Sequence, residues 1–177
     1  MGNLTDTQPA NINHLNVVNF EVNFSRLPAT EYFCQRVSIP AVMLGSTVQP
    51  TSFLNIAVEG ETLTFESLNL SFILDEDLKN YLEIYNWMLA LGFPQEYSQF
   101  ASLKDSRSVS EYASMFSDMD IFLHTNKSNP NYKFTFNDVF PTSLGAVELN
   151  TTATSLEPII IEATFNFKGM FKVEKIT

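Results

Sequence analysis

Leu63-Thr64-Phe65-Glu66-Ser67-Leu68-Asn69-Leu70-Ser71-Phe72-Ile73-Leu74-Asp75-Glu76-Asp77 is the stretch on which the reading of this chain turns. Leu63 and Phe65 occupy odd positions, whereas Leu68, Leu70, Phe72 and Leu74 occupy even ones. Both runs alternate with polar residues, the period of a half-buried strand. A one-residue phase slip near Ser67 is what a β-bulge produces, because one extra residue returns the apolar side chains to the core. Past Asp75 the period changes. Leu78, Leu82, Tyr85 and Leu89, with Tyr81, Trp87 and Met88 beside them, recur at helical spacing. Asp75, Glu76 and Asp77 place acceptors and negative charge at that helix's first amides. Gly92 and Pro94 stop it. The chain therefore runs from strand into a single prominent helix.

Strand periodicity continues on both sides. Val18, Phe20, Val22 and Phe24 alternate with Asn19, Glu21 and Asn23, and Glu31 to Ser38 reads as a second strand after a turn at Arg26 to Thr30. Pro40, Gly45 and Pro50 punctuate Ile39 to Ser52, which reads as a long excursion. Phe53, Ile56 and Val58 open the next extended piece, closed by the turn Glu59-Gly60-Glu61. Met119, Ile121 and Leu123 alternate. Asn126 to Asn131 forms a turn cluster, then Tyr132, Phe134 and Phe136 alternate in their turn. The last long strand carries Ile159, Ile161, Ala163, Phe165 and Phe167 on one face. Residues 1–16 read as a polar arm and 95–117 as a Ser-rich insertion in which Ser110 to Phe116 forms one helical turn. The expected fold is mainly β: two packed antiparallel sheets, as a sandwich or half-barrel, with one flanking α-helix, in a single domain over 17–177.

Composition narrows the function. The chain has 177 residues and a formal net charge of -10, a surface that repels phosphate and excludes nucleic-acid binding by counterion release. Its 16 Phe and 6 Tyr exclude a disordered chain. Cys34 is the only cysteine, so it reads as a small core residue and excludes a thiolate metal cluster. His14 and His124 show no metal-ligand spacing, and Asp75 to Asp77 are accounted for by helix capping. Phosphate loops, nucleophile elbows and dinucleotide fingerprints are all missing, so no enzyme, cofactor or metal is expected. No secretory leader or membrane anchor is expected either, and the Asn-x-Ser/Thr triplets follow from Asn- and Thr-rich composition. Long aromatic strands leave two sheet edges that nothing in the sequence blunts, and closed assembly removes such edges. This favours a protein that assembles.

The order Asn19-Phe20-Glu21-Val22, Phe33-Cys34-Gln35 leading to Ile39-Pro40, Thr62 to Asp75, Tyr85-Asn86-Trp87, and Phe140-Pro141-Thr142-Ser143-Leu144-Gly145 before the final strand resembles the tail tube proteins of contractile-tailed bacteriophages. It is similar as well to type VI secretion tube proteins and baseplate tube initiators. The resemblance covers about Val17 to Val173. It implies two packed sheets with a flanking helix, closed in rings of six that stack into a tube through which the genome passes. The implied partners are the chain itself, then sheath, baseplate and tail-terminator proteins, and DNA passes without specific binding. The implied location is the virion tail, after synthesis in the host bacterial cytoplasm. The insertion at 95–117 departs from the commoner pattern and leaves main tube subunit, tube initiator and hub-associated baseplate relative all open. On that frame Glu21, Glu66 and Glu162 are candidates for the lumen, and Ile39, Met43, Leu44, Val48 and Phe53 for contacts between rings. The alternative of another class is a carbohydrate-binding β-sandwich on a virion surface, with Tyr97 and Phe100 as its platform.

Overall fold

The computed structural model describes residues 13–92, 115–152 and 157–176. Its elements are β1 (Phe20–Phe24), α1 (Pro28–Tyr32), β2 (Cys34–Ser38), β3 (Val42–Pro50), β4 (Asn55–Phe65), β5 (Leu68–Ile73), α2 (Lys79–Gly92), β6 (Ser117–His124), β7 (Pro130–Leu144), β8 (Ile160–Asn166) and β9 (Lys172–Lys175). A seven-stranded antiparallel sheet runs β1-β6-β7-β8-β5-β2, with β9 added on β7, and β3 and β4 form a separate two-stranded sheet.

The long strand β7 makes two layers of the large sheet. Its first part pairs β6 and β9, and from Phe140 onward it pairs β8. Between them Asp138 has φ 50° and donates its N–H to the Asp118 carboxylate at 3.2 Å. In a flat sheet β1 and β8 would lie about 14 Å apart, three strand spacings. Instead the rings of Phe24 on β1 and Phe165 on β8 are 5.4 Å apart, so the two halves face each other across the core. Phe24, Phe72, Phe136 and Phe165 are fully buried there, with Ile84 and Trp87 entering from α2. Gly145 closes the Phe-Pro-Thr-Ser-Leu-Gly corner. Its N–H reaches the Glu162 carbonyl at 2.7 Å, and a Cβ there would stand 2.9 Å from that oxygen.

The structure is mainly β, with antiparallel sheets and a flanking helix, and it corrects several details of the sequence reading. The slip at Ser67 is no bulge. It separates β4, in the hairpin, from β5, in the folded sheet, and Ser67 Oγ is 2.7 Å from Asn166 Oδ1 at the crossing. Arg26 to Thr30 is more than a turn. Pro28 starts the short helix α1, so β2 begins only at Cys34. The Glu83 carboxyl of α2 accepts from the Ala29 and Thr30 amides, and burial pushes its pKa up in spite of those bonds. The acidic triplet lies one turn ahead of α2. Leu78, at φ 57°, accepts the Leu82 N–H, and buried Asn80 ties the entry to Ile73 and Asp75. The buried stripe of α2 is Asn80, Ile84, Trp87 and Ala90, while Leu78, Leu82 and Tyr85 are exposed. Two apolar stripes share this helix, and the spacing alone favours the wrong one. Most of the arm and of the insertion lie outside the described residues. The end of the expected insertion is strand, since Ser117 starts β6.

Candidate assembly surface

The hairpin β3–β4 dominates the surface. Every residue of β3 is exposed, and β4 is almost as open. Apart from Phe65 at its base, which packs on Phe167 and Phe171, the hairpin is largely uncovered by the described residues, so polar–apolar alternation has no reason to appear. This is why Ile39 to Ser52 read as an excursion, and why Glu59-Gly60-Glu61 read as a turn although it lies inside β4. The true turn spans Pro50 to Asn55. There the Thr51 N–H bonds the Leu54 carbonyl, the Leu54 N–H bonds the Thr51 hydroxyl, and that hydroxyl bonds the same carbonyl. The clasp holds Phe53 outward with its side chain wholly exposed.

Register assigns the hairpin's faces. Val42 pairs Phe65, Leu44 pairs Leu63 and Val48 pairs Ala57 on one face, and Thr47 pairs Val58 and Gln49 pairs Ile56 on the other. Of the residues expected to make contacts between rings, Met43, Leu44 and Val48 sit on β3, Phe53 at the tip, and Ile39 just before the hairpin. Val42, Leu54, Ile56 and Leu63 are equally exposed and were not expected. For Val42, Leu54 and Ile56 the signal in the sequence is the absence of any charge from Val42 to Val58. Exposed apolar surface on this scale marks an interaction site.

The three candidate lumen carboxylates do not come together. Glu21 lies on the outer side of the β1–β6 layer, 3.7 Å from His124 Nε2. Its row continues through Phe122, Lys133 and Glu174, and Lys133 makes a 3.0 Å ion pair with Asp120. Glu162 lies on the outer side of the other layer, in a row with Ser71 and Arg36. The adjacent row there is Thr164, Asn69 and Ser38. Glu66 is exposed at the base of the hairpin, its N–H on the Ala41 carbonyl.

The sheet edges are open, as the strand pattern requires. The His124 N–H bonds the Asn19 carbonyl at 3.0 Å, which makes Phe20 and Leu123 a non-hydrogen-bonded pair. The backbone groups of Phe20 and Val22 therefore point out of the edge. Phe24, next in that series, has its N–H taken by Glu31 Oε2 at 2.9 Å. Edges β1 and β2 border one cleft of about 420 Å³, lined in part by Val18, Phe20, Tyr32 and Cys34. Burial pushes the Cys34 thiol up to about 11, so it has none of the thiolate character a nucleophile needs. Among the described residues no group of side chains is arranged to hold a metal ion. None of their helices is long and apolar enough to cross a membrane. Tyr97 and Phe100, the expected carbohydrate platform, lie outside the described residues.

Comparison with known proteins agrees with a surface built for assembly. A family model described as phage tail tube protein matches residues 7–170. The tail tube terminator protein of Enterobacteria phage T4 is 25% identical over 171 residues, covering 92% of this chain and 90% of that protein. Among solved structures, the tube terminating cap of the anti-feeding prophage superposes with a TM-score of 0.60 at 14% identity, over 98% of this chain and 99% of that one. A chain of the sheath–tube complex of the extracellular contractile injection system PVC gives 0.53 at 13% identity, over 92% and 93%. These relatives are structural tail components and not enzymes. A chain matched by that model over nearly its whole length, with open sheet edges and an apolar hairpin, belongs to the phage tail tube protein family.

Proposed function

We propose that copies of this chain join edge to edge in a ring of six that ends a phage tail tube, above the main tube subunits. The observation that carries the reading is the β3–β4 hairpin, which meets its own subunit at its base, where Phe65 packs on Phe167 and Phe171, and exposes apolar side chains on both strands beyond it. The shaft residues Met43, Leu44 and Val48, with Ile39 at its base, face the adjoining ring. The open edges of β1 and β2 join neighbours within the ring. The terminator relative supports a place at the tube's end over the main-subunit and initiator positions that the sequence left open. Electron microscopy of the purified chain with its mass in solution tests this. Discrete rings are expected, and adding them to growing tubes of the cognate main subunit should arrest elongation. Long tubes of this chain alone would instead make it a main subunit.

The outer side of the β5–β8 layer, which carries Glu162, forms the wall of the passage. A net charge of -10 keeps DNA from adhering to such a wall. Glu162→Lys adds a phosphate contact to each copy while altering only an exposed side chain. It is expected to slow genome ejection and leave ring formation intact. Ejection kinetics equal to wild type would remove Glu162 from the lumen.

A further inference from the structure

A second apolar surface among the described residues lies along α2. Tyr81, Tyr85, Met88, Leu89 and Gly92, with Leu144 from the end of β7, line a pocket of about 400 Å³. The Tyr81 and Tyr85 rings stack 6.3 Å apart, 15° from parallel, and give the pocket a flat aromatic wall. Among the described residues its lining holds no carboxylate, ammonium or guanidinium. The hairpin tip is the matching shape. Phe53 stands fully exposed beside Leu54, and the clasp at Thr51 holds the turn rigid, so little entropy is lost when the tip is immobilised.

We propose that Phe53 of one copy seats in the α2 pocket of a second copy in the same ring. The inference rests on the assembly reading above and names the site that receives the hairpin. Three observations commit the pocket to this occupant. A cavity of about 150 Å³ already accepts a benzene ring, so this pocket holds the phenyl group and leaves room for part of Leu54. Strands of nine and 11 residues span roughly 30 Å, enough to reach beyond the body of a domain this size to its neighbour. Knob and pocket occupy different places on one chain, so the contact is heterologous, the kind that repeats around a ring. Because neither the tip nor the described residues of the pocket carry charge, the contact holds in high salt, unlike one made by the ion-paired outer rows.

The test uses two variants, Phe53→Asp and Tyr85→Glu, each checked for native circular dichroism. Tyr85→Ser replaces the second if it fails to fold. Each alone is expected to lose rings, with self-association weakened at least about 30-fold, as for removal of a buried aromatic anchor. Mixed together, they are expected to form one-to-one dimers that do not grow, because the intact tip of one fits the intact pocket of the other. The mixed dimers should persist at about 1 M salt, where exposed charge pairs are screened. Rings from wild type and from both variants alike would overturn the pocket contact and leave the assembly reading standing. A wild-type chain that stays monomeric at every concentration would overturn both. If Tyr85→Glu lowers Tm while Phe53→Asp still forms rings, the pocket is filled from within its own chain and the proposal fails.

Discussion

Trp87→Ala should destabilise the folded subunit by about 3–5 kcal/mol, the usual cost of emptying a large buried aromatic site. Trp87 is 3% exposed and joins elements from three parts of the chain. Its ring meets Phe24 edge-on at 6.1 Å and lies 6.4 Å from Phe165, so it bridges both layers of the folded sheet. The Arg26 guanidinium sits 4.9 Å from the ring centre, and the indole N–H donates to the Met115 carbonyl at 3.0 Å. Truncation therefore opens a cavity and also orphans an acceptor where the chain enters β6. Trp87→Phe separates these effects. It keeps most of the packing but loses the hydrogen bond, and is expected to cost about 1–3 kcal/mol. Urea unfolding followed by far-UV circular dichroism, at concentrations too low for rings, measures both. Fluorescence does not serve, because Trp87 is the only tryptophan. An alanine variant within 1 kcal/mol of wild type would mean that α2 does not close this core.

The parts of the fold legible in the sequence are those that the subunit itself buries. β1 and β8 alternate strictly because one side of each meets the core and the other does not, as Val22 and Phe24 or Ile161, Ala163 and Phe165 show. The turn at Asn126 to Asn131 is equally local, closed by hydrogen bonds between Thr125 and Asn129 and by Ser128 at φ 59°. Where the subunit covers neither face of a strand, the period disappears, and β3 is the clearest case. The error on α2 has the same origin. Leu78, Leu82 and Tyr85 are spaced as a core stripe but face away from the core, whereas the stripe that does enter it includes polar Asn80, whose side chain is occupied at the helix entry. Helix α1 was illegible for a different reason. Five residues are too few for a period, and its start depends on Pro28 and on Glu83, more than 50 positions away. Of the candidate site, Phe53, Met43, Leu44 and Val48 were singled out in the sequence, but Val42 and the pocket at Tyr81, Tyr85 and Leu144 were not. The pocket joins one side of a helix to the end of a strand, and only tertiary structure brings them together.

Gly60→Val is expected to abolish ring assembly while costing the subunit about 1–2 kcal/mol, the strain of parting one strand pair outside the core. The hairpin's register jumps from Leu44 opposite Leu63 to Ser46 opposite Glu59, so β4 carries extra residues against Gly45. At that crossing a Cβ on Gly60 would stand 2.6 Å from the Gly45 carbonyl oxygen and 2.8 Å from its carbon. Both are backbone atoms of a paired strand and cannot swing aside as a side chain would. The two strands must separate there, and the tip beyond them, with Phe53, is redirected. Gly45→Ala is the control. Its Cβ comes no closer than 3.4 Å to the Thr62 carbonyl, an ordinary contact, so rings should form. Thermal unfolding and electron microscopy of the two variants divide the outcomes. Normal rings from Gly60→Val would show that assembly does not depend on how the hairpin is aimed. A loss of several kcal/mol would show that β3 and β4 fold as part of the core, against the exposure of every residue of β3. Intact subunits without rings would place the purpose of the exposed hairpin in the assembly, since the close glycine crossing would then matter for how the tip is aimed and little for the core.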